Sequence, residues 1–245
     1  SIGEKTYSNY WGNINTGYSN IRQSIVYSMN IVAVRCLVDT VNPTLGYEYL
    51  LNYGFTTLVD SRVEPSGAIT SDINPSLGLG GLTDGVTNLE TTAAYAAIAN
   101  GGVYTKPIFY TKILDNDGNV LIDNQPETRT VMKESTAFLL TNAMEETMDG
   151  GLYPMTTPSG GIAGTGRAAD VAGMSIAGKT GTTTSTYDTW FAGYSPYYTA
   201  TIWTGYDENQ TILLTESYHK KIWSAIMTRI HEGLPDIGFP TPTGI

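Results

Sequence analysis

Three strand-like segments, separated only by short turns, constrain the fold of this chain more than any other feature of its sequence. They span Met174–Thr183, Thr189–Tyr194 and Thr199–Tyr206, and their Thr, Trp, Phe and Tyr residues favour sheets. Short turns join antiparallel neighbours, because parallel strands need a crossover of a dozen or more residues. The sequence therefore predicts a small antiparallel sheet near the end of the chain.

The preceding sequence is mainly helical in pattern. Residues 19–40 carry apolar side chains around the whole helical wheel, which indicates a buried helix or two joined helices. Helices are also predicted at 43–52, 89–100, 133–148 and 220–231. A hairpin is predicted at 103–122 and a linking segment at 126–130. Loops are predicted at 1–18, 60–88 and 150–173. Helices followed by an antiparallel sheet predict an α+β fold.

Composition excludes several classes of function. The 245 residues contain 13 Lys+Arg and 23 Asp+Glu, a net charge of −10, which disfavours nucleic acid as a partner because phosphate binding needs a basic face. Cys36 is the only cysteine, so neither a disulfide within the chain nor a multi-cysteine metal site can form, and we expect it to be a buried small residue. No apolar run approaches the roughly 18 residues that a membrane-spanning helix needs.

One motif is misleading. Gly173–Thr180 fits the phosphate-loop pattern G-x-x-x-x-G-K-[ST], but a true phosphate loop lies between a strand and a helix. The residues before it do not form a convincing strand, and the Thr run after it is a poor helix start. We therefore do not expect nucleotide binding.

The same lysine is better interpreted as part of a Lys-Thr-Gly strand. Lys179, Thr180 and Gly181 would place a cation, a hydroxyl and an open backbone in one row. Thr180 and Thr182 would point to the same face, because strand side chains alternate. Together with the lysine they could clamp a carboxylate, although an ordinary strand with a surface lysine would give the same tripeptide.

A second triplet, Ser28-Met29-Asn30, lies in the first helical stretch, 151 residues before Lys179. On its own it is compatible with a helix interior whose serine hydroxyl bonds the backbone one turn earlier. Its order relative to Lys-Thr-Gly gives it more weight only through a family resemblance, which further stretches of the chain carry.

The chain resembles the transpeptidase domain of class A penicillin-binding proteins, which belong to the active-site-serine acyltransferases, as do the serine β-lactamases. The stretches that carry the resemblance are Gly17–Ser24 with Ser28–Arg35, Leu77–Glu90 with Ala94–Gly102, Ala177–Thr183, and Asp188–Pro196. The resemblance implies a serine β-lactamase/transpeptidase-like α+β fold, of which residues 1–245 would be a C-terminal portion.

The resemblance also implies a function and roles for named residues. The reaction would be D,D-transpeptidation, which cross-links peptidoglycan stem peptides through a serine acyl-enzyme, and β-lactam antibiotics would bind the same site. Ser28 would relay a proton, Lys179 would hold Ser28, and Asn30 would bond the substrate amide. Thr180, Gly181, Thr182 and Thr183 would bind the substrate, with the Thr182 N–H as half of an oxyanion hole. The resemblance implies no metal and no cofactor.

The family's first motif, Ser-x-x-Lys, carries the nucleophile and should precede Ser28. None of residues 1–27 forms it, and the one match, Ser217-Tyr218-His219-Lys220, follows Lys179 and is interpreted as coincidence. We therefore expect the nucleophile on an upstream part of the polypeptide, in a truncated or nicked chain. That part would also carry a glycosyltransferase domain and an anchor holding the protein at the extracytoplasmic face of the bacterial membrane.

Two alternatives stay open. Glu48-Tyr49-Leu50-Leu51-Asn52 matches the Glu-x-x-Leu-Asn of class A β-lactamases, so a β-lactamase or D,D-carboxypeptidase is possible, although Glu48 lies in an apparent helix. A non-catalytic penicillin- or peptidoglycan-binding module is the other. His219 and His231 are predicted at the surface, about 120° apart on a helix, which gives no support to a Ser–His–Asp triad.

Overall fold

The computed structural model describes residues 5–12, 17–150, 154–157, 160–213 and 217–243. Within them lie six α-helices: α1 Ile21–Val26, α2 Asn30–Arg35, α3 Pro43–Asn52, α4 Asn88–Ala99, α5 Glu134–Asp149 and α6 Tyr218–Ile230. A π-helical segment, Cys36–Val41, continues α2, and short 3-10 turns lie at Pro75–Leu79, Arg167–Ala169 and Thr184–Thr186. Residues 19–40 thus form two joined helices, the second of the two forms that the pattern allows.

The strands of these regions form one three-stranded sheet and four two-stranded ribbons. They are β1 Arg62–Val63, β2 Ile69–Thr70, β3 Val103–Thr105, β4 Lys112–Leu114, β5 Val120–Asp123, β6 Thr128–Thr130, β7 Met155–Thr157, β8 Gly160–Ile162, β9 Ala177–Thr182, β10 Asp188–Tyr194 and β11 Thr199–Gly205. The main sheet has the order β11-β10-β9 and is antiparallel throughout, as predicted. β9 is an edge strand.

Helices cover both faces of the main sheet. On one face, Phe191 of β10 packs with Trp223 and Met227 of α6, and all three side chains are fully buried. On the other face, Ala177 of β9 and Tyr194 of β10 pack with Met144 of α5. Alternate residues along each strand thus enter opposite cores, and the arrangement is the α+β layering that the sequence predicts.

The predicted loops and link contain more pairing than the sequence indicates. The predicted strand at 103–114 is two strands: β3 pairs with β6, in the predicted link, and β4 pairs with β5. Residues 60–88 include the β1–β2 ribbon and a 3-10 turn, and residues 150–173 include the β7–β8 ribbon. These strands are two to four residues long, so each has too few residues to show a period in the sequence.

The prediction that both histidines lie at the surface is wrong. His219 and His231 are 8% and 5% exposed. The His231 Nε2 lies 2.6 Å from the Ser195 hydroxyl, and its Nδ1 lies 2.7 Å from the Met227 carbonyl oxygen. This pair joins the end of α6 to the turn between β10 and β11. Since Ser195 is 2% exposed, it is a structural contact.

Candidate active site

Ser28 lies in a tight break between α1 and α2, where the backbone is unusual. Its φ is +53°, a left-handed conformation that residues other than glycine seldom adopt. Ser24 holds the break: its carbonyl oxygen accepts the Met29 N–H at 2.9 Å, and its hydroxyl donates to the Met29 carbonyl oxygen at 3.2 Å. Strained backbone of this kind persists only where surrounding contacts hold it, commonly at functional sites.

Lys179 is placed by the tight anchoring of β9. It lies opposite Ala192 of β10, and the Thr147 hydroxyl donates to the carbonyl oxygen of Gly178 at 3.0 Å. A Cβ at Gly178 would lie 2.6 Å from the Phe191 ring and 2.9 Å from the Ala192 carbonyl oxygen. Only glycine therefore lets β9 pack this closely against β10, which fixes the position of the next residue, Lys179.

The two motifs meet in space. The Lys179 ammonium donates to the Ser28 hydroxyl oxygen at 2.7 Å and to the Thr180 carbonyl oxygen at 3.0 Å. Both side chains are only partly buried, because they line a cavity of about 920 Å³ together with Asn30 and the edge strand β9. A hydroxyl, an ammonium and a carboxamide thus share one cleft with an open strand edge, whose backbone groups can pair with an extended ligand.

Burial and charge change how strongly this lysine holds its proton. Burial, with a further contribution from the positive charge of Lys220, lowers the pKa of Lys179 from 10.5 to about 8. Burial also lowers the pKa of Lys220, whose ammonium donates to the Thr165 carbonyl oxygen at 2.9 Å. Among the described residues that line the cavity, none is acidic. The cleft is therefore locally positive in an acidic protein, and an anionic ligand is favoured there.

The predicted substrate-binding residues divide into two groups. Thr180, Gly181 and Thr182 all line the cavity. Thr183 does not: its hydroxyl donates to the Asp188 carboxylate at 3.0 Å and accepts the Asp188 N–H at 2.8 Å. The structure thus brings together every predicted site residue except Thr183, which instead stabilises the turn between β9 and β10.

Sequence reasoning missed several residues of the cavity wall. Ser217 and Lys220, whose Ser-x-x-Lys spacing was interpreted as coincidence, both line the cavity at the start of α6. His219 lines it too, and burial together with the charge of Lys220 lowers the pKa of His219 to about 4. Tyr95 of α4 also lines it, and burial raises its pKa to about 12. The Ser-x-x-Lys spacing could have indicated the first two. No local pattern indicates Tyr95, because it lies in an otherwise ordinary Ala-rich helix.

Other sequence matches lie elsewhere. Glu48 is exposed on α3 and is not among the residues that line the cavity. The end of the phosphate-loop match, Gly178–Thr180, lies inside β9, with a strand rather than a helix after Lys179. Cys36 is partly buried in the π-helical segment rather than fully enclosed. Among the described residues, no group of three His, Cys, Asp or Glu side chains could hold a metal ion.

Comparisons with known proteins agree on one family. The family model described as the penicillin binding protein transpeptidase domain matches residues 2–231. Penicillin-binding protein 1A of Clostridium botulinum is 32% identical over 220 residues, which cover 89% of this chain and 24% of that protein. Penicillin-binding protein 2D of Bacillus subtilis is 36% identical over 173 residues, which cover 70% of this chain and 24% of that protein. The chain thus spans about a quarter of the length of these curated relatives.

Solved structures show the same fold. The crystal structure of penicillin-binding protein 1A from Haemophilus influenzae superimposes with a TM-score of 0.75 at 22% identity, covering 99% of this chain and 39% of that one. The PonA1 protein from Mycobacterium tuberculosis in complex with penicillin V gives a TM-score of 0.74 at 23% identity, covering 97% and 63%.

Proposed function

The chain belongs to the penicillin-binding protein transpeptidase domain family, and from this premise we propose that it is part of a D,D-transpeptidase. The enzyme would cross-link peptidoglycan stem peptides through a serine acyl-enzyme and would bind β-lactams. The observation that carries the proposal is the 2.7 Å contact between Lys179 and Ser28 in a cleft bordered by a free strand edge. These residues lie 151 positions apart, so the fold brings them together.

The reaction assigns a step to each residue. The serine of the upstream Ser-x-x-Lys motif attacks the carbonyl carbon of the D-Ala–D-Ala bond while the lysine of that motif takes its hydroxyl proton. The C–N bond then breaks, and Ser28 passes a proton to the departing amine and regains one from that lysine. The Thr182 N–H supplies one donor to the oxyanion, and one such donor is typically worth about 3 kcal/mol. Asn30 bonds the substrate amide, and Thr180 and Thr182 hold the terminal carboxylate. The amine of a second stem peptide then displaces the serine, which forms the cross-link.

The nucleophile is proposed to lie on an upstream part of the polypeptide. An unpaired strand edge and an exposed apolar stripe support such a part. β11 pairs only with β10, so its other edge is open among the described residues. Along α6 runs an apolar stripe at four-residue spacing, with each side chain between 43% and 53% exposed: Tyr218, Ile222, Ile226 and Ile230. The upstream part would cover these surfaces, bring the Ser-x-x-Lys serine to the cavity, and carry the glycosyltransferase domain.

The location follows from the substrate. Peptidoglycan lies outside the cell membrane, so we place the domain on the extracytoplasmic face, held by an anchor in the upstream part. No helix in the described residues has both the length and the apolar content to cross a bilayer.

The stability of the acyl-enzyme tests the proposal. The full-length polypeptide is incubated with a fluorescent penicillin, excess ligand is removed, and the label retained by the protein is followed over time. A transpeptidase should keep its label over many minutes, because the acceptor amine is absent and water attacks the ester slowly. Rapid release with turnover of the penicillin would instead indicate a β-lactamase, and absence of any label would indicate a binding module without a nucleophile.

The lowered pKa of Lys179 predicts a pH dependence. If the ammonium form holds Ser28, acylation should fall as the pH rises through about 8. Replacing Lys220 with Met removes a nearby positive charge, so the pKa of Lys179 should rise and the fall should move to higher pH. His219, with a pKa of about 4, and Tyr95, with a pKa of about 12, keep one charge state across this range. Acylation rates of both proteins measured against pH check the shift; an unchanged profile in Lys220→Met would contradict it.

A further inference from the structure

Residues 5–12 form a strap that lies against the Ser28-Met29-Asn30 segment. The strap is closed by a turn in which the Gly12 N–H donates to the Asn9 carbonyl oxygen at 2.9 Å. At its start, the Lys5 ammonium donates to the Ser76 hydroxyl at 2.9 Å. The strap therefore runs from the 3-10 turn at Pro75–Leu79, two of whose residues line the cavity, to the break that holds Ser28.

Asn9 completes the start of α2. It is 7% exposed, and its side-chain oxygen accepts the N–H of Ile31, in the first turn of α2, at 3.3 Å. The residue that precedes α2, Met29, has an apolar side chain and cannot accept such a bond. The cap of this helix therefore comes from the strap rather than from the helix's own sequence.

The same strap fixes the orientation of Asn30. The Asn30 side-chain nitrogen donates to the Ser8 carbonyl oxygen at 2.9 Å. A carbonyl oxygen can only accept, so this contact determines which end of the Asn30 carboxamide faces the strap. The remaining N–H and the oxygen of the carboxamide are therefore held in one orientation. Since Asn30 lines the cavity, that orientation sets what the carboxamide offers to a ligand.

Packing holds the strap in place beside Ser28. Trp11 packs against the buried cluster of Val26, Tyr27 and Met29, which flank Ser28 on both sides. Tyr10 stacks edge-on against Trp11, with ring centroids 4.7 Å apart, and itself lines the cavity. The strap is therefore an element of the site wall, because both its backbone and its side chains set the geometry of the Ser-x-Asn motif.

From these contacts we infer that Asn9 is a positioning residue, which acts through Asn30 to orient the ligand's amide group. Asn9 fixes the start of α2 and, with it, the position of the neighbouring Ser8 carbonyl oxygen relative to α2. Together these contacts direct the Asn30 carboxamide into the cleft. The inference rests on the proposed function, in which Asn30 bonds the substrate amide. It predicts that loss of the Asn9 side chain weakens recognition of an amide on the ligand more than it weakens the acylation chemistry itself.

The test compares two β-lactams on the full-length polypeptide. Benzylpenicillin carries a side-chain amide, whereas 6-aminopenicillanic acid carries a free amine at that position. In Asn9→Ala, acylation by benzylpenicillin should slow about tenfold, the size expected from one misplaced hydrogen bond, and acylation by 6-aminopenicillanic acid should change less than about twofold. Asn9→Asp keeps the acceptor for the Ile31 N–H, so acylation by benzylpenicillin should return to near the parental rate. Asn116→Ala, at an exposed asparagine in the turn between β4 and β5 that is not among the cavity-lining residues, should match the parent protein.

The outcomes separate the inference from the proposed function. An equal slowing with both ligands, or no slowing with either, overturns the role of Asn9. If the parent protein is not acylated by either ligand, the proposed function itself fails. A thermal melt of each variant reports folding. Should Asn9→Ala not fold, Asn9→Ser, whose shorter side chain also withdraws the acceptor, is measured against the same criteria.

Discussion

Replacing Lys179 with Ala is expected to abolish acylation of the full-length protein by penicillin, slowing it by about 10³-fold or more. The ammonium is the group that contacts the Ser28 hydroxyl, at 2.7 Å. Alanine removes both the contact and the positive charge, so Ser28 can no longer be held or biased toward proton transfer. The measurement is the rate at which a fluorescent penicillin labels the protein.

A matched lysine provides the control for this variant. Lys112 lies exposed on β4, in a ribbon away from the cavity wall. Lys112→Ala should label at the parental rate. It changes the net charge by the same amount as Lys179→Ala, so the comparison separates the effect of the cavity lysine from the effect of net charge. Thermal melts should show that both variants fold. Full labelling of a folded Lys179→Ala protein would remove the lysine from the proposed mechanism.

Replacing Trp223 with Ala should cause the largest loss of stability, about 3–5 kcal/mol. The indole is fully buried, its ring lies 5.0 Å from the Phe191 ring, and its N–H donates to the Ala200 carbonyl oxygen at 2.9 Å. Truncation would open a cavity between α6 and the main sheet and remove the hydrogen bond that ties the indole to β11. Such a loss is a large part of the stability of an ordinary domain.

An exposed aromatic residue is the comparison for Trp223. Phe109 is 85% exposed, so Phe109→Ala should change the free energy of unfolding by less than about 0.5 kcal/mol. Urea denaturation of the two variants beside the parent protein gives both values. A cost below about 1 kcal/mol for Trp223→Ala would mean that α6 does not form the core of this face of the sheet.

The parts of the fold that local sequence determines were predictable. The helix predicted at 89–100 is observed at Asn88–Ala99, opened by a capping box of Thr87 and Glu90. It stops before Gly101 and Gly102, whose φ values are +62° and +90°. A Cβ on Gly102 would lie 2.3 Å from the Met132 carbonyl oxygen, so glycine is required there. Caps, stops and short turns act within a few residues, which is why the sequence shows them.

Features that depend on distant contacts were not predictable. His219 and His231 are buried because α6 packs between the main sheet and the 3-10 turn at Arg167–Ala169, and a helical wheel does not show what surrounds it. The left-handed backbone of Ser28 lies beside the cluster of Val26, Tyr27 and Met29, against which the more distant Trp11 packs. The pairing of β3 with β6 joins residues more than twenty positions apart. In each case the deciding partner lies far away along the chain.

The candidate site shows the same division. The family resemblance implied that Ser28, Asn30 and Lys179 belong to one site, and the structure brings all three to one cavity. The hydroxyl of Thr183 is bonded to Asp188 instead, which its position beside Lys-Thr-Gly does not reveal. The strap from residue 5 to residue 12 carries no motif of its own, so its contact with Asn30 became visible only in the structure.

The most direct test of the proposed transpeptidase site is to locate the serine that penicillin acylates. The full-length polypeptide is labelled with a fluorescent penicillin and digested, and the labelled peptide is sequenced by mass spectrometry. We expect the label on a serine of a Ser-x-x-Lys motif upstream of residues 1–245. A label on Ser217, which also lines the cavity, would contradict this expectation, because the nucleophile would then belong to this chain and approach Ser28 and Lys179 from α6.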